Sequence, residues 1–541
     1  MRSIHRNAWL LAIFSGVLQV LIFPLPGLYV LCWMATAPLI VAVLHARRAD
    51  TLQLTNSGRV KLVPGSPSQG FAVGYLSGII WYLGTCYWVY DTMHQYGGLG
   101  RPAALGILVL FSLYLGLYHG LFGGLLALIA KRPPLNRLAL IAAPFLWVAL
   151  ELARTRITGF PWNLLGTVQV DNIPLARISS VTGVCGLSFE IMLVNTALAA
   201  AFVVRRDRRN TLLIAGIGAA VALQAGRWIP RPAATADHTA YLVQQNIPIL
   251  ESTEWTTDYL ESSLRDLSAI SLNPARVAKS DADGLQPKPD LIVWPESPAP
   301  FFTTDPLFRN AVSDVARQTG AWVVAGSIGV NNATPSGQGT EAYNSAALIN
   351  PLGQWTARYD KVHLVPFGEY VPFKSVFGFA GGLTRAVGDY GRGTSRAPLD
   401  AGGTRLGVFI CYESVFPNEV RQFANNGAQV LVNISNDGWY GDSGAYAQHL
   451  NQSRMRAVEN GRWLLLATNT GVTAAIDPYG QTVAELQRKV RSTLSAPYAL
   501  MYSTTFYTRH GDGFAFLCAI ISLAALLIAI SGRARTKDSY V

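Results

Sequence analysis

Arg405-Leu-Gly-Val-Phe-Ile-Cys-Tyr-Glu-Ser414 sets a short apolar run directly against a thiol, a phenol and a carboxylate. Leu406–Ile410 has the length and apolarity of a buried strand, and Cys411 stands where that strand ends. Cys411 is the only cysteine between about Gln224 and Asp512, whereas Cys32, Cys86, Cys185 and Cys518 all lie in strongly apolar segments. A lone thiol cannot staple the polar stretch around it, so it is either an inert core residue or chemistry.

Outward from this run, strand-length apolar segments alternate with helical ones. Tyr241–Gln245, Asp290–Trp294, Trp322–Ser327, Ser345–Asn350, Leu406–Ile410, Val430–Ile434 and Leu464–Asn469 predict strands. Thr256–Ile270, Pro306–Thr319, Pro417–Asn426 and Ala445–Gly461 predict helices, and Pro351-Leu-Gly353 and Pro478-Tyr-Gly480 predict hairpin turns. Such alternation argues for an α/β layered domain over residues 237–503. The glycine-rich loop Phe373–Gly393 also carries Phe373, Phe377, Phe379 and Leu383, which suit either a lipid-gripping cover or an ordinary packed loop.

The remainder of the chain is different in kind. Half of the 541 residues are hydrophobic and only 14% are charged, the balance of a membrane protein. Apolar windows of bilayer-spanning length occur at Ala8–Phe23, Leu28–Leu44, Phe71–Tyr90, Ala103–Ala130, Leu138–Ala153, Val181–Val204, Thr211–Trp228 and Gly513–Ile530. They predict a bundle of about eight transmembrane helices, with residues 1–230 before the α/β domain and 511–541 after it. Arg2 and Arg6 precede the first window, but no small-x-small cleavage pattern closes it, so it is expected to be retained.

Lys and Arg cluster at both termini and in every second loop: Arg47, Arg48, Arg59 and Lys61; Lys131, Arg132 and Arg137; Arg205, Arg206, Arg208 and Arg209. Both termini are therefore expected in the cytoplasm, with the α/β domain exported. The formal charge of +11 has the same cause, so it does not argue for nucleic acid as a partner.

Three ionisable residues fall at or just past strand ends, where active sites of α/β folds gather: Glu296, Lys361 and Cys411. A carboxylate can take the thiol proton, and an ammonium can stabilise both thiolate and oxyanion. The neighbouring ammonium is expected to hold the thiol below its ordinary pKa, since a free thiol is only a few per cent ionised at neutral pH. Taken singly, each has a plainer reading, as core thiol, loop carboxylate or solvated lysine; their joint occurrence changes the balance.

The strings around them resemble the nitrilase, or carbon-nitrogen hydrolase, superfamily: Trp294-Pro-Glu-Ser297, Tyr359-Asp-Lys-Val-His-Leu-Val-Pro-Phe-Gly-Glu-Tyr370 and Ile410-Cys-Tyr-Glu-Ser414. Asn433-Ile-Ser-Asn-Asp-Gly-Trp-Tyr-Gly441 and Ala467-Thr-Asn-Thr-Gly471 continue the likeness. With the apolar windows, and with Gly159-Phe-Pro-Trp162, Gln245-Asn-Ile-Pro248 and Tyr507-Thr-Arg-His-Gly-Asp512, nearly the whole chain resembles the apolipoprotein N-acyltransferase family.

The resemblance implies an αββα sandwich and a Glu296/Lys361/Cys411 triad, acting as base, oxyanion stabiliser and nucleophile. It implies no cofactor and no metal. By the same resemblance the donor is expected to be a phospholipid such as phosphatidylethanolamine and the acceptor a diacylated apolipoprotein. The expected setting is the bacterial inner membrane, and the expected state is a monomer. Glu369, Glu413 and Tyr412 match supporting positions. Glu369 and Glu413 are each expected to orient Lys361 or take the incoming amine's proton. Asn344 is expected to help hold the oxyanion, and Trp255 to line the lipid path.

Among the membrane carboxylates, Glu190 faces either the bundle or a substrate ammonium, and Glu151 forms a helix-end pair with Arg154. A membrane-tethered amidase using the same triad with water as acceptor is the competing activity.

Overall fold

The computed structural model describes residues 3–48, 62–131, 136–203, 235–249, 254–273, 288–297, 299–331, 341–370 and 390–531, with parts of 210–229. It divides into a helical unit, residues 1–90, 101–230 and 510–541, and an α/β unit, residues 91–100 and 231–509.

Among the described residues of the helical unit, four helices are long and apolar enough to cross a bilayer: Arg101–Ala130, Arg137–Thr158, Val184–Val203 and Gly513–Ser531. This is fewer than the about eight spans that the apolar windows predict. The first window folds as Arg6–Leu21, only 16 residues long, and the second as a shorter apolar helix, Tyr29–Leu44. The third becomes Pro67–Thr85, whose buried positions include Gly70, Gly74, Ser77 and Gly78. The window at Thr211–Trp228 falls largely outside the described residues.

Those glycines serve a close helix crossing. A Cβ on Gly70 would meet the Gly123 carbonyl, one on Gly74 the His119 carbonyl, and one on Gly123 the Gly70 carbonyl. Only small residues let two backbones approach this far. A buried polar line follows the crossing, with Gln19 Nε2 donating to Ser15 Oγ at 3.2 Å and Ser77 Oγ at 3.3 Å, and Gln19 Oε1 facing His119 Nε2 at 3.1 Å.

Among its described residues the α/β unit has twelve strands: β1 His238–Gln244, β2 Leu291–Val293, β3 Trp322–Asn331, β4 Glu341–Ile349, β5 Trp355–Asp360, β6 Leu399–Ala401, β7 Thr404–Ile410, β8 Val430–Ser435, β9 Leu464–Thr468, β10 Thr473–Ile476, β11 Thr482–Leu486 and β12 Ser492–Tyr498. They make two six-stranded sheets, β12-β1-β2-β3-β4-β5 and β11-β10-β9-β8-β7-β6. Each has a parallel centre, β1-β2-β3 and β7-β8-β9, and antiparallel edges. The two expected hairpin turns join β4 to β5 and β10 to β11.

The sheets pack face to face, β9 and β10 against β1 and β12. Helices Thr257–Leu272 and Pro306–Thr319 seal the first sheet over a core containing Ile292, Trp294, Phe301, Phe308 and Val323. Helices Pro417–Asn425 and Ala445–Asn460 pack on the second. The layers therefore run α, β, β, α, and burial of both sheet faces explains why the central strands are mostly apolar.

Candidate active site

Glu296 lies three residues past β2, Lys361 directly follows β5, and Cys411 directly follows β7. The fold brings them together. Lys361, 1% exposed, points Nζ at Glu369 Oε1 (2.9 Å) and Glu296 Oε1 (3.5 Å). Asn344 Nδ2 bridges the same two oxygens, at 2.7 Å to Glu296 and 2.6 Å to Glu369. The remaining oxygens accept backbone amides, Glu296 Oε2 from Asn436 and Glu369 Oε2 from Val365. Burial works against the Lys361 charge, but the Glu369 and Glu296 carboxylates outweigh it and hold the ammonium well above its usual pKa.

Cys411 opens a single-turn helix, Cys411–Val415, with φ at +50°. A non-glycine residue held there costs about 1–3 kcal/mol, the kind of strain that persists only where the surroundings over-determine it. The thiol interacts electrostatically with Glu296 and Lys361, and the Ser435 side chain also acts on it. Contrary to expectation, its pKa is raised. Burial and the Glu296 carboxylate outweigh the Lys361 ammonium, so the resting sulfur is a thiol with a carboxylate base beside it rather than a preformed thiolate.

Glu413 is the most completely bonded of the supporting residues. Oε1 accepts from the Val362 and His363 amides (2.8 and 3.0 Å), Oε2 from the Ile410 amide (2.8 Å), and the Tyr359 hydroxyl reaches both (2.8 and 2.9 Å). It therefore ties the backbone beside Lys361 to the backbone beside Cys411. Burial pushes its carboxyl up, with the His363 and Ile410 amides as the main opposition.

Asn344, expected to help hold the oxyanion, gives its amide nitrogen to two carboxylates in this structure. Tyr412 is buried, with its ring 5.1 Å from Phe416 and 5.9 Å from His363. Trp255 packs on the core under the first sheet and against Tyr259.

Glu190 sits in the helical unit on Val184–Val203, 1% exposed, and neither carboxylate oxygen has a hydrogen-bond partner among the described residues. The expected Glu151–Arg154 pair is not formed directly. Glu151 Oε1 accepts from Trp147 Nε1 and the Leu165 amide, while Arg154 turns to Tyr82 Oη and the Trp162 carbonyl. The loop Phe373–Gly393 lies outside the described residues except for 390–393. No group of three or more metal-ligating side chains occurs among the described residues.

Sequence reasoning did not single out Asn436, whose amide fixes Glu296, nor Asp437 and His449. Asn436 and Asp437 lie within the quoted string Asn433–Gly441, but nothing in that string signals which donors face the site.

Known proteins share both units. Residues 15–197 match the apolipoprotein N-acyltransferase N-terminal domain and residues 230–504 the carbon-nitrogen hydrolase domain. An apolipoprotein N-acyltransferase of Geobacter metallireducens is 33% identical over 544 residues, covering 99% of this chain and 97% of its own. That of Nitrosomonas europaea is 32% identical, covering 87% and 91%, and that of Bordetella bronchiseptica 33%, covering 90% and 92%. Likeness of this extent, running end to end and through both units, makes the chain a member of the apolipoprotein N-acyltransferase family.

Proposed function

We propose that the protein transfers a fatty acyl chain from the sn-1 position of a phospholipid to the N-terminal amine of a diacylated apolipoprotein, through an acyl-thioester on Cys411. The observation that carries this is the buried cluster in which Glu296, Lys361 and Cys411 converge from three strand ends. Glu296 takes the thiol proton as sulfur attacks the ester carbonyl. Lys361 balances the oxyanion of the tetrahedral intermediate. The C–O bond to glycerol then breaks, and the departing oxygen takes the proton back from Glu296, leaving a lysophospholipid. In the second half the amine attacks the thioester, the C–S bond breaks, and Glu296 relays the amine's proton to the sulfur.

The other residues position these three. Glu369 and Asn344 fix the Lys361 ammonium, Glu413 locks the two backbone segments together, and Tyr412 packs beside the nucleophile. Trp255 lines the acyl path and Glu190 meets a substrate ammonium. The domain boundaries follow the residues 1–230, 237–503 and 511–541, with both termini cytoplasmic, the α/β unit exported and the chain monomeric. A long acyl chain favours this setting, because each methylene exposed to water costs about 0.8 kcal/mol.

The test supplies purified full-length protein with phosphatidylethanolamine and a diacylated lipopeptide. Lipopeptide gaining one acyl chain only when phospholipid is present supports the transfer. Amide hydrolysis that proceeds without phospholipid overturns it in favour of an amidase.

A further inference from the structure

A second polar cluster reaches Cys411 through its backbone. His449, on helix Ala445–Asn460 and fully buried, places Nδ1 at 3.1 Å from Asp437 Oδ1. Its Nε2 lies 3.1 Å from the Cys411 carbonyl and 2.7 Å from Ser414 Oγ. Asp437 also accepts the Ser435 hydroxyl at 2.7 Å, and the Ser435 side chain acts in turn on the Cys411 thiol. The cluster thus touches the nucleophilic residue at both its carbonyl and its sulfur.

Both ring nitrogens face acceptors, a carboxylate on one side and a peptide carbonyl on the other. A neutral imidazole carries one proton and can satisfy only one of them. The doubly protonated ring is the form that serves both, whereas the neutral ring protonated on Nδ1 takes the Ser414 hydroxyl proton at Nε2 and leaves the Cys411 carbonyl without a donor. Burial opposes that charge, but Asp437 and the Cys411 carbonyl more than offset it, and the histidine is held above its ordinary pKa. Glu296 adds to the effect from the catalytic side. Tyr440 also faces the ring, at 6.1 Å between ring centres, and Arg456, on the same helix, donates to the Ser414 carbonyl at 3.2 Å and pairs with Glu459 at 2.8 Å.

Ser414, His449 and Asp437 have the connectivity of a hydrolase triad. Ser414 and His449 are both 0% exposed, so no substrate reaches the serine. What the cluster does reach is the carbonyl of a residue strained into left-handed backbone.

We propose that His449, gripped by Asp437, is a positioning residue that holds the Cys411 carbonyl and thereby keeps the nucleophile's left-handed backbone set for attack. This rests on the reading of Cys411 as nucleophile. Because the pKa of His449 is raised, the grip is complete below the ordinary histidine value and is lost as pH rises through the folded one.

The test uses full-length protein in detergent with phosphatidylethanolamine. It measures two rates from about pH 6 to about pH 10: acyl-Cys411 formation, and alkylation of Cys411 by iodoacetamide, which needs no acyl donor. Wild type is compared with His449→Gln, which is never an imidazolium, and Asp437→Asn, which keeps the ring but not its counter-charge. At low pH His449→Gln is expected to slow both reactions by about tenfold or more, the size of a lost charge-assisted hydrogen bond. The wild-type advantage should vanish as pH rises, and in Asp437→Asn it should vanish at a lower pH.

Equal rates and profiles in wild type and His449→Gln overturn the proposal. So does an advantage over His449→Gln whose pH dependence Asp437→Asn leaves unmoved. If alkylation shows the histidine dependence but wild type never carries an acyl chain, the positioning role stands and the nucleophile reading fails. If all three proteins acylate alike, the reverse holds. If His449→Gln does not fold, the shift of the wild-type profile in Asp437→Asn decides.

Discussion

Glu369→Gln keeps the shape of the side chain and removes one of the two carboxylates around Lys361. All three neighbours of Glu369 are donors: Lys361 Nζ at 2.9 Å, Asn344 Nδ2 at 2.6 Å and the Val365 amide at 2.8 Å. A glutamine amide offers one accepting oxygen and one donating nitrogen, so whichever way it turns an NH2 group meets a donor. At that Lys361 separation, with an effective dielectric of about 20, the Coulomb attraction is about 6 kcal/mol. Removing one partner of a buried pair costs about 3–5 kcal/mol after relaxation. Glu296, at 3.5 Å, then becomes the sole carboxylate on the ammonium and draws it toward the base.

If about 3 kcal/mol of this falls on the transition state, acyl-Cys411 formation slows roughly 100-fold. Rapid-quench mass measurement of the protein with phosphatidylethanolamine reads that rate, and thermal melting in the same detergent separates it from unfolding. A Glu369→Gln protein that acylates within about threefold of wild type, with unchanged melting, refutes the argument that Glu369 fixes the ammonium.

Three further outcomes follow from the geometry. Glu413→Gln turns an NH2 group either toward the amides at 362 and 363 or toward that at 410 and should destabilise the α/β unit more than Tyr359→Phe, which removes one donor worth about 1.5–3 kcal/mol; denaturant titration gives the order, and the reverse order contradicts the clamp. A Cβ at Gly326 would run into the Pro295 carbonyl and Glu296 Cα, so Gly326→Ala should cost about 1–3 kcal/mol and reduce transfer as Glu296 shifts; full activity at wild-type stability would show that the strand simply yields.

Burial works against ionisation of Glu419, but hydrogen bonds from His363 and Arg396 win and hold its carboxyl down at about 2. The stability this lends is present above the ordinary carboxylate pKa and is lost as pH falls through the folded value. The gap between wild type and Glu419→Gln should therefore be constant near neutrality and close between about pH 4.5 and pH 2; a gap that widens in acid has the wrong sign.

The α/β unit was legible because its signals are local. Strands such as β3 and β8 open on apolar runs, Trp322–Ala325 and Val430–Val432, the helix Pro306–Thr319 opens on Asp305 and a proline, and both hairpins have proline-glycine turns. β12 was missed because Pro497 interrupts its alternation. The sheet tolerates that proline because β12 is an edge strand. Among the described residues four helices, rather than about eight, are long and apolar enough to cross a bilayer, because hydropathy sees composition, whereas Pro24 and Pro26 after the first helix, and the glycine-rich crossing of the third, decide where helices stop and how apolar they are.

At the site, Glu296, Lys361 and Cys411 were legible as residue types at strand ends. Three features were not. The positive φ of Cys411 has no marker in a cysteine, the raised thiol pKa depends on burial and on how near Glu296 comes, and the links from Glu413 to residues 359–363 span some 50 positions of sequence.

The central claim is that Cys411 carries the acyl group between donor and acceptor. Full-length protein incubated with phosphatidylethanolamine alone, quenched in acid and digested, should yield the Cys411 peptide bearing one fatty acyl chain. That mass should disappear when the diacylated lipopeptide is added, and it should never form in Cys411→Ala. A wild-type peptide that stays unmodified while the lipopeptide is acylated, or a Cys411→Ala protein that still acylates it, contradicts the account.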